Sequence, residues 1–477
     1  MWAAGGSQGA KGPVPSMRQR TSRAGMEPSR FGAAHARRVV VSTPAKSRLP
    51  APPPSAEARL EVDWPMGGQY GVTRPRAAGE RAMGKTTPEW AEEIGRRLDG
   101  MVALRRDFHR HPELSFEERR TAEIVAERLS AAKLEVRTGI GRTGVVAVLR
   151  GDRPGRTIAW RADIDALPLT ETLDLPFRSA TPGVMHACGH DGHTAIGITL
   201  AEMLSARRRE VPGTAVFLFQ PAEEIFSGAK PMIEDGALDN PRVSEVYGLH
   251  LTTQTPVGRV SVRPGPAMAS ADFFDVQITG RGGHGAYPHL SIDPVTVAAN
   301  ILLGMQNLVS REVSAQETAV LTVGQIVAGT KHNIIPATAV MRGSLRTFSP
   351  AVREQVKERL GAFARDIARA YRAEATLGFM GDGCPTVVNH ERESALVRAC
   401  AVDELGGEAV AGESLVMASD DMSLFLQARP GCYFQVGIAP ATGPTRPHHA
   451  PEFEMNEDGL PVALRLATRV MLDALRG

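Results

Sequence analysis

One stretch of apolar sequence constrains the fold more than any other. Residues 214–219 read TAVFLF and contain almost no polar side chain. A strand with one solvated face alternates apolar and polar residues, so this continuous run predicts a strand buried on both faces. Apolar spacing predicts further strands at 143–149, 156–161 and 243–249, and a helix at 194–206. Strands that alternate with helices indicate the α/β class, with a mixed sheet flanked by helices.

Near residue 265 the pattern changes to a second unit. The predicted order is βαββαβ, with a strand through Phe273, Val276 and Ile278, a helix at 293–310, strands at 318–328 and 337–347, a helix at 350–371 and a strand at 373–379. This order is typical of a ferredoxin-like unit that can fold alone. The first pattern then resumes with a helix at 391–405 and a strand at 432–437. We therefore predict that residues 267–380 are inserted into a catalytic domain formed by residues 83–266 and 381–477.

Composition excludes several classes of function. The formal net charge of +2 gives no reason to expect nucleic acid as a partner. No apolar run reaches the roughly 18 residues that cross a membrane, so no membrane association is expected. Four cysteines in 477 residues do not form a disulfide framework. We therefore expect a cytoplasmic protein.

Residues 1–82 differ from the rest of the chain. They are rich in Pro, Arg, Ala, Ser and Gly and carry the basic excess, which leaves the remainder mildly acidic. Such a segment cannot bury enough apolar surface to offset its ordering entropy. It is interpreted as a disordered extension, or as the result of a start codon placed too early with Met83 as the true start. A transit peptide is a weaker alternative, because the segment is Arg/Ser-rich and poor in acids.

Polar side chains with metal-binding chemistry follow three of the predicted strands. Asp163 comes after one strand, Glu223 and Glu224 come after the apolar strand, and His250 closes a third. In open α/β sheets the functional site forms at the carboxyl ends of the strands. We therefore expect these side chains to converge.

The segment HACGHDGH at 186–193 adds sulfur and nitrogen donors. Cys188 and His190 are one residue apart on a Gly-rich loop, and thiolate, imidazole and carboxylate hold borderline divalent metals. Two such ions about 3.5–4 Å apart can share a water and polarise a carbonyl, while the second of two glutamates serves as a base. Each feature alone has an ordinary structural explanation, such as a solvated Glu-Glu pair or an interior His250. Their joint placement favours a metal site.

With these motifs the chain resembles the metal-dependent amidohydrolase (metallopeptidase) family of hippurate hydrolases, indole-acetyl-amino-acid hydrolases and N-acyl-amino-acid deacylases. The resemblance covers about 90–477. The matching stretches are FHRHPELSFEE (108–118), WRADIDALPLTE (160–171), MHACGHDGHTA (185–195), FQPAEE (219–224), GLHL (248–251), GRGGHGAYPH (280–289), HNIIPATAVMRGSLRTF (332–348), ASDDMSLFL (418–426) and HHAPEF (448–453). It implies a dinuclear-metal exopeptidase-like fold whose inserted unit is a lid that commonly pairs subunits.

The resemblance also implies roles for individual residues. Glu223 is the general acid/base, Asp163 lies behind the ligands, and two divalent ions per subunit (Mn, Zn, Ni or Co) are held by Cys188, His190, Glu224, His250 and His449. His186, Asp191 and His193 are interpreted as neighbours of the site. His449 is favoured over His448 because Pro451 gives it the His-x-Pro pattern of the family. One departure is Asp420, which stands where relatives have glutamate in a GSEDF-like stretch.

Residues of the inserted unit are implied to complete the site. His284 resembles the histidine that stabilises the oxyanion, possibly in the site of a partner subunit. Asn333 and Arg346 resemble residues that hold the substrate carboxylate, a task that suits the planar fork of arginine. A simple turn position is the alternative for His284.

These features together predict hydrolysis of the amide bond of N-acyl amino acids, hippurate-like or with other acyl groups. Water activated by the metals attacks the carbonyl, with Glu223 as base. The expected partners are a small-molecule substrate and a second copy of the chain in a homodimer. An aminopeptidase or dipeptidase on the same scaffold, and a catalytically silent metal-binding protein, are the alternatives.

Overall fold

The computed structural model describes residues 86–411, 415–439 and 445–477. The interpretation of residues 1–82 therefore lies outside the described residues. Helices in the described part are α1 (Pro88–Arg110), α2 (Arg119–Ala131), α3 (His190–Ala206), α4 (Ala229–Glu234), α5 (Pro294–Asn307), α6 (Pro350–Ala370), α7 (Glu391–Leu405), α8 (Met422–Ala428) and α9 (Gly459–Arg476). None of these described helices combines the length and the apolar character of a membrane span.

Strands alternate with these helices along the chain. They are β1 (Glu135–Ile140), β2 (Gly144–Arg150), β3 (Arg153–Asp163), β4 (Pro212–Gln220), β5 (Glu245–Pro256), β6 (Val260–Ser261), β7 (Gly265–Met268), β8 (Asp272–Thr279), β9 (Gly283–His284), β10 (Ala319–Ala328), β11 (Ile334–Ile335), β12 (Thr338–Thr347), β13 (Glu374–Phe379), β14 (Val387–Asn389), β15 (Val410–Ala411) and β16 (Gly431–Ala439).

The larger sheet has the order β1-β2-β4-β3-β5-β16-β6-β15. Its central pairs β4–β3, β3–β5 and β5–β16 are parallel, whereas β1–β2 and β2–β4 are antiparallel, so the predicted mixed sheet is confirmed. The apolar run predicted as a doubly buried strand lies in β4. Phe217 and Phe219 enter the core shared with α3 and α9, and Val216 and Leu218 enter the core on the opposite face, with α4 and α8.

The smaller sheet has the order β10-β12-β8-β13 and is antiparallel throughout. The chain order of its elements, β8-α5-β10-β12-α6-β13, is the predicted ferredoxin-like βαββαβ unit. Helices α5 and α6 share a separate core with this sheet, centred on Phe274, Ile301, Met341 and Leu360. The unit therefore has its own buried apolar interior, as an independently folding insertion requires.

The start of α3, strand β1 and helix α9 differ from the sequence-based expectation. Helix α3 begins at His190 rather than at 194, because Gly189 takes a left-handed φ of 94° that turns the chain directly into the helix. Strand β1 and helix α9 received no prediction. Strand β1 is half-exposed at the edge of the sheet and lacks a clear alternation, whereas the apolar spacing of α9 was a signal that could have revealed it.

We expect the doubly covered strand β4 to contribute strongly to stability. Phe217 is fully buried, so Phe217→Ala should lower the free energy of unfolding by about 3–5 kcal/mol through lost apolar contact and a residual cavity. Leu303→Ala is the control, because Leu303 is 74% exposed. Thermal unfolding of both variants checks this, and a similar small change in the two midpoints would contradict the role of β4.

Candidate active site

The carboxyl ends of β3 and β4 and the middle of β5 form the floor of the site. Strands β4, β3 and β5 are adjacent in the sheet. Asp163 is the last residue of β3, Glu223 and Glu224 follow β4, and His250 lies in β5. The side chains therefore converge as expected, but the prediction that His250 closes its strand is wrong, because β5 runs on to Pro256. His250 reaches the site because it lies level with the end of β3, in a parallel register that places Gly248 opposite Arg161. Helix α3 adds its first residue, His190, to this edge.

Sulfur, nitrogen and oxygen donors meet there at short distances. Cys188 Sγ lies 3.5 Å from His250 Nε2. His190 Nε2 lies 3.8 Å from Glu223 Oε2 and 3.8 Å from Glu224 Oε1. His449 Nε2 lies 3.2 Å from Glu224 Oε2. These atoms form overlapping groups of three whose members lie within 4.8 Å of one another, a spacing that a bound cation can bridge.

Two buried atoms at this point have no hydrogen-bond partner among the described residues. They are His190 Nε2 and Glu224 Oε1, which face each other. A buried polar atom without a partner is costly unless something satisfies it. A divalent cation would satisfy both atoms, and the donor set of thiolate, imidazole and carboxylate suits zinc and its neighbours in the first transition series. The residues therefore fit a metal centre.

Hydrogen bonds to the second ring nitrogen orient the two central histidines. His190 Nδ1 donates to the Asp165 carbonyl at 3.0 Å, and His250 Nδ1 donates to the Leu251 carbonyl at 2.7 Å. A carbonyl only accepts, so Nδ1 carries the proton in each ring. The lone pair of each Nε2 is therefore left for the site, which is the usual arrangement of a metal-binding histidine.

His193 differs from His190 and His250, because neither of its ring nitrogens is free. Its Nδ1 lies 2.6 Å from Asp163 Oδ1, and its Nε2 accepts the backbone N–H of Leu251 at 2.9 Å. Both ring nitrogens are thus occupied, which supports its interpretation as a neighbour. The second oxygen of Asp163 accepts from Arg161 Nη1 at 2.6 Å. The same oxygen lies 3.7 Å from His190 Nε2, so Asp163 joins His193 and Arg161 beside the donor atom of His190.

The acidic groups of the site are poorly stabilised as anions by protein alone. Burial, with the charge of Asp420 next, raises the pKa of Glu223 well above its ordinary value. Burial raises the pKa of Glu224 to about 8, although the charge of His190 opposes this shift. Burial and then the charge of Glu224 raise the pKa of the Cys188 thiol well above its usual range. Added positive charge is what would return these groups to their ionised, metal-binding forms.

Sequence reasoning missed the cation that organises the carboxylates behind Glu223. Arg161 is buried in β3, and it donates to Gln220 Oε1 at 2.8 Å and to Asp420 Oδ1 at 3.0 Å. Asp421 Oδ1 lies 3.3 Å from the same guanidinium. The stretch WRADIDALP contained the signal, because Arg161 follows apolar residues in a predicted strand, and a charged residue that is buried in such a strand needs a partner. Asp420, noted for its departure from glutamate, is thus an ion-pair partner of Arg161.

A cavity of about 510 Å³ opens above these residues. Glu223, Glu224 and Arg346 line it, with the last of these coming from β12 of the smaller sheet. Arg346 Nη1 donates to the Met417 carbonyl at 2.9 Å and to Ser419 Oγ at 3.1 Å. The structure therefore brings the predicted carboxylate-binding arginine to the same cavity as the paired glutamates.

His284 and Asn333 are not brought to this cavity within one chain. His284 in β9 pairs with Ile334 in β11. The side chains of His284 and Asn333 are both exposed. The Asn333 carbonyl accepts from the Gly285 N–H at 2.9 Å, which closes the small ladder. The two residues thus share one exposed projection of the smaller unit.

A second buried charge network supports the start of α3 from behind. Asp191 Oδ2 lies 2.8 Å from Arg105 Nε and 2.8 Å from His109 Nδ1. His109 Nε2 lies 3.3 Å from Glu171 Oε1. Burial and the charge of Arg105 lower the pKa of His109, but its bonds to Asp191 and Glu171 outweigh them, so the pKa is raised overall.

Fold and site together define a metal-dependent hydrolase built on a mixed α/β sheet. The model of peptidase family M20/M25/M40 matches residues 159–473, and the chain belongs to this family. The chain is 35% identical to Bacillus subtilis YxeP, described as a dinuclear metal binding peptidase from the M20 family. That crystal structure aligns with a TM-score of 0.69, over 80% of this chain and 99% of that one. The family resemblance and fold class are thereby confirmed.

Relatives of this chain include a deacetylase, an amino acid conjugate hydrolase and a carboxypeptidase. The N-acetylcysteine deacetylase of Bacillus subtilis is 39% identical over 76% of this chain and 93% of its own length. The IAA-amino acid hydrolase ILR1-like 4 of Arabidopsis thaliana is 37% identical over 79% of this chain and 87% of its own length. The thermostable carboxypeptidase 1 of Saccharolobus solfataricus is 37% identical over 76% of this chain and 92% of its own length. The chain is an enzyme of the M20 amidohydrolase family.

The raised pKa of His109 predicts a pH-dependent contribution to stability. Its folded pKa exceeds the ordinary value, so the contribution is fully present below about pH 6.5 and is lost as pH rises through the folded pKa. We expect His109→Gln to cost about 1–3 kcal/mol at pH 6 and less at pH 9, in metal-free protein. Thermal unfolding from pH 5.5 to 9 measures this, with the exposed His289→Gln as control. A loss that grows with pH would contradict the assignment.

Proposed function

We propose that this chain hydrolyses the amide bond of N-acyl amino acids and releases a carboxylic acid and a free amino acid. The observation that carries the proposal is the Glu223–Glu224 pair, whose oxygens both lie 3.8 Å from the unpartnered His190 Nε2. One glutamate can bind metal while its neighbour remains free for proton transfer. The acyl-amino-acid relatives support the choice of substrate class.

We assign the metal ligands to the donors whose free atoms converge. Two divalent ions per subunit, with Mn, Zn, Ni and Co as candidates, would be held by Cys188, His190, Glu224, His250 and His449. The hydrogen bonds of His190 and His250 leave Nε2 of each ring available, which supports this assignment. When bound, such a pair lowers the pKa of a shared water and polarises the amide carbonyl.

Glu223 is proposed as the general acid/base. Its side chain is buried beside His190 and lines the cavity in which the amide would lie. It would take a proton from the attacking water as the carbon–oxygen bond forms. It would then deliver that proton to the amine nitrogen as the carbon–nitrogen bond breaks, so that the amino acid leaves neutral at nitrogen.

Residues of the smaller unit are proposed to bind the substrate and complete the site. Arg346, which lines the cavity, and Asn333 of the partner subunit would hold the substrate carboxylate. His284 of the partner subunit would stabilise the negative charge that develops on the carbonyl oxygen. Its exposure, away from the cavity of its own chain, supports a role across a subunit boundary.

The smaller unit, residues 267–380, is proposed as a lid and as the surface of a homodimer. Strand β10 is an edge of its sheet, and Val320, Ile326 and Val327 on it are 40%, 45% and 50% exposed. An apolar edge strand of this kind favours pairing with a second chain. Light scattering that gives the molar mass of a single chain would contradict the dimer.

Peptide hydrolysis on the same scaffold is the second candidate. The relative named thermostable carboxypeptidase 1, which is 37% identical, favours cleavage of peptides, although its name gives no support for recognition of a free amine. A catalytically silent metal-binding protein is the third, and the presence of Glu223 argues against it. A free amine on the substrate distinguishes the first two, because an aminopeptidase or dipeptidase must recognise that group.

A hydrolysis panel tests the proposed function. N-acetyl, N-benzoyl and indole-acetyl amino acids are compared with free dipeptides, in chelated protein and after each metal is added back. We expect turnover of acylated substrates only with metal. Preference for free dipeptides would favour the alternative, and full activity in chelated protein would contradict the metal-dependent mechanism.

Glu223→Gln separates catalysis from metal binding. We expect it to lower kcat by roughly 10²–10⁴-fold, because proton transfer is lost, while bound metal is retained. Glu224→Gln is the matched control and should lose metal as well as activity. Turnover and metal content, the latter by elemental analysis, are measured on the same samples. Substantial turnover by Glu223→Gln would overturn the assigned role.

Arg346→Gln tests recognition of the carboxylate. We expect KM for N-acyl amino acids to rise roughly 10–100-fold with kcat little changed, because a charge-assisted bond is lost. Arg342→Gln on the same strand is the control, since Arg342 is exposed and pairs with Asp275 at 3.3 Å. The same substrates with an amidated carboxyl group should show no difference between wild type and Arg346→Gln. An equal loss on both substrate forms would refute the assignment.

A further inference from the structure

A second, larger cavity adjoins the site. Its volume is about 980 Å³, and Glu224, Phe226 and Phe273 line both this cavity and the smaller one above Glu223. Ligand pockets in proteins have volumes of about 300–1,000 Å³, so this space alone can hold a sizeable organic group. The hydrolytic steps assigned to Glu223 and its neighbours do not use it. We call it the acyl groove, defined by Ile225, Phe226, Phe273, Met380 and Leu424 on its wall.

The turn that carries the paired glutamates also builds the wall of the groove. Phe226 has a left-handed φ of 51°, and its N–H donates to the Glu223 carbonyl at 2.7 Å. A bulky residue at positive φ is strained, and such strain persists where the surrounding structure over-determines it. Here the ring of Phe226 stacks on Phe273 of β8, with centroids 6.3 Å apart and planes 11° apart. The strained turn thus directs an aromatic ring to the boundary between the two cavities.

The groove presents apolar side chains to solvent. Ile225 is 53% exposed, Met380 65% and Phe273 39%. Of the four charged residues on the groove, Lys230 and Asp382 pair with each other at 2.6 Å. The other two, Glu224 and Glu234, are acidic, so the groove offers no free cation to the carboxylate of a substrate. Grouped exposed apolar residues of this kind mark a surface that is covered by a ligand.

We propose that the acyl groove binds the acyl chain of the substrate, and that the preferred substrates are N-acyl amino acids with long apolar acyl chains. The inference rests on the proposed function, which places the amide beside Glu223. It adds the identity of the acyl group and the residues that select it.

The positions of Arg346 and Phe273 agree with this orientation. Phe273 in β8 pairs with Ser344 in β12, and Arg346 lies two residues further along, on the same face of the sheet. Diagonal neighbours of this kind lie about 7–8 Å apart. With the carboxylate at Arg346 and the amide at Glu223, the acyl end would extend past Phe226 and Phe273, which line both cavities, into the groove.

Chain length is the first experimental variable. Values of kcat/KM are measured for N-acetyl, N-butanoyl, N-hexanoyl, N-octanoyl and N-decanoyl derivatives of one amino acid, in the metal-loaded enzyme. Each buried methylene should raise kcat/KM roughly fourfold until the groove is filled. A flat or falling series, with the acetyl substrate still hydrolysed, would overturn the acyl groove and leave the proposed function intact.

Met380→Asp is the second variable. Met380 lines the groove but not the cavity above Glu223, so the variant should leave acetyl hydrolysis unchanged while kcat/KM for the decanoyl substrate falls at least tenfold. Val402→Asp on α7 is the matched control, because Val402 is also exposed (41%) and lies outside the groove. Equal effects of the two substitutions, or loss of acetyl hydrolysis with Met380→Asp, would overturn the assignment.

A binding measurement tests, independently of turnover, whether the acyl groove binds an acyl chain. Calorimetry compares decanoate with butanoate in wild type and Met380→Asp, using chelated protein. We expect decanoate to bind wild type at least tenfold more tightly than butanoate does, and this advantage to disappear in the variant. Failure to hydrolyse any N-acyl amino acid would refute the proposed function. Equal affinity for the two carboxylates in wild type would refute the groove.

Discussion

The ion pairs and hydrogen bonds of the buried Arg161 guanidinium are the interactions on which the rest of the site depends. Arg161 is 2% exposed and donates to Asp163, Gln220 and Asp420. These partners belong to the end of β3, the end of β4 and the segment before α8, which returns after the inserted unit. One cation therefore joins the ends of β3 and β4 to the segment before α8, so it links the parts of the chain that precede and follow the inserted unit. Loss of one partner in such a buried network is costly because it leaves an unpaired charge, typically by about 3–5 kcal/mol.

Around that centre, each central imidazole has one nitrogen committed to the framework. The backbone carbonyls of Asp165 and Leu251 accept the Nδ1 protons of His190 and His250. His193 is bound at both nitrogens and contributes rigidity instead. Histidines at similar distances from the centre thus have different roles. The partners of His190 and His193 lie outside the HACGHDGH segment, on β3, β5 and the residues after β3, so spacing within that segment could not reveal the distinction.

Much of the fold was predictable from periodicity. The doubly buried β4, the βαββαβ order of the smaller unit and the convergence of polar residues at strand ends all follow from local patterns and from one rule about α/β sheets. The edge strand β1 was not predictable, since a half-exposed strand lacks a clear apolar pattern. The Arg161 network was missed because its partners lie on three separate segments, and pairing across such distances has no local signal.

The sequence by itself determined the class of the fold, the donor set and the pair Glu223–Glu224, because apolar periodicity and residue chemistry are local properties. Tertiary structure decided which atoms of those residues are free. It also decided that Arg346 lines the site cavity while His284 and Asn333 remain exposed on their own projection. The groove beside Phe226 and Phe273 also depends on the tertiary structure, because segments 225–234, 380–385 and 424–428 form it together. Cavities and proton positions depend on packing between distant segments, and packing is a property of the folded chain alone.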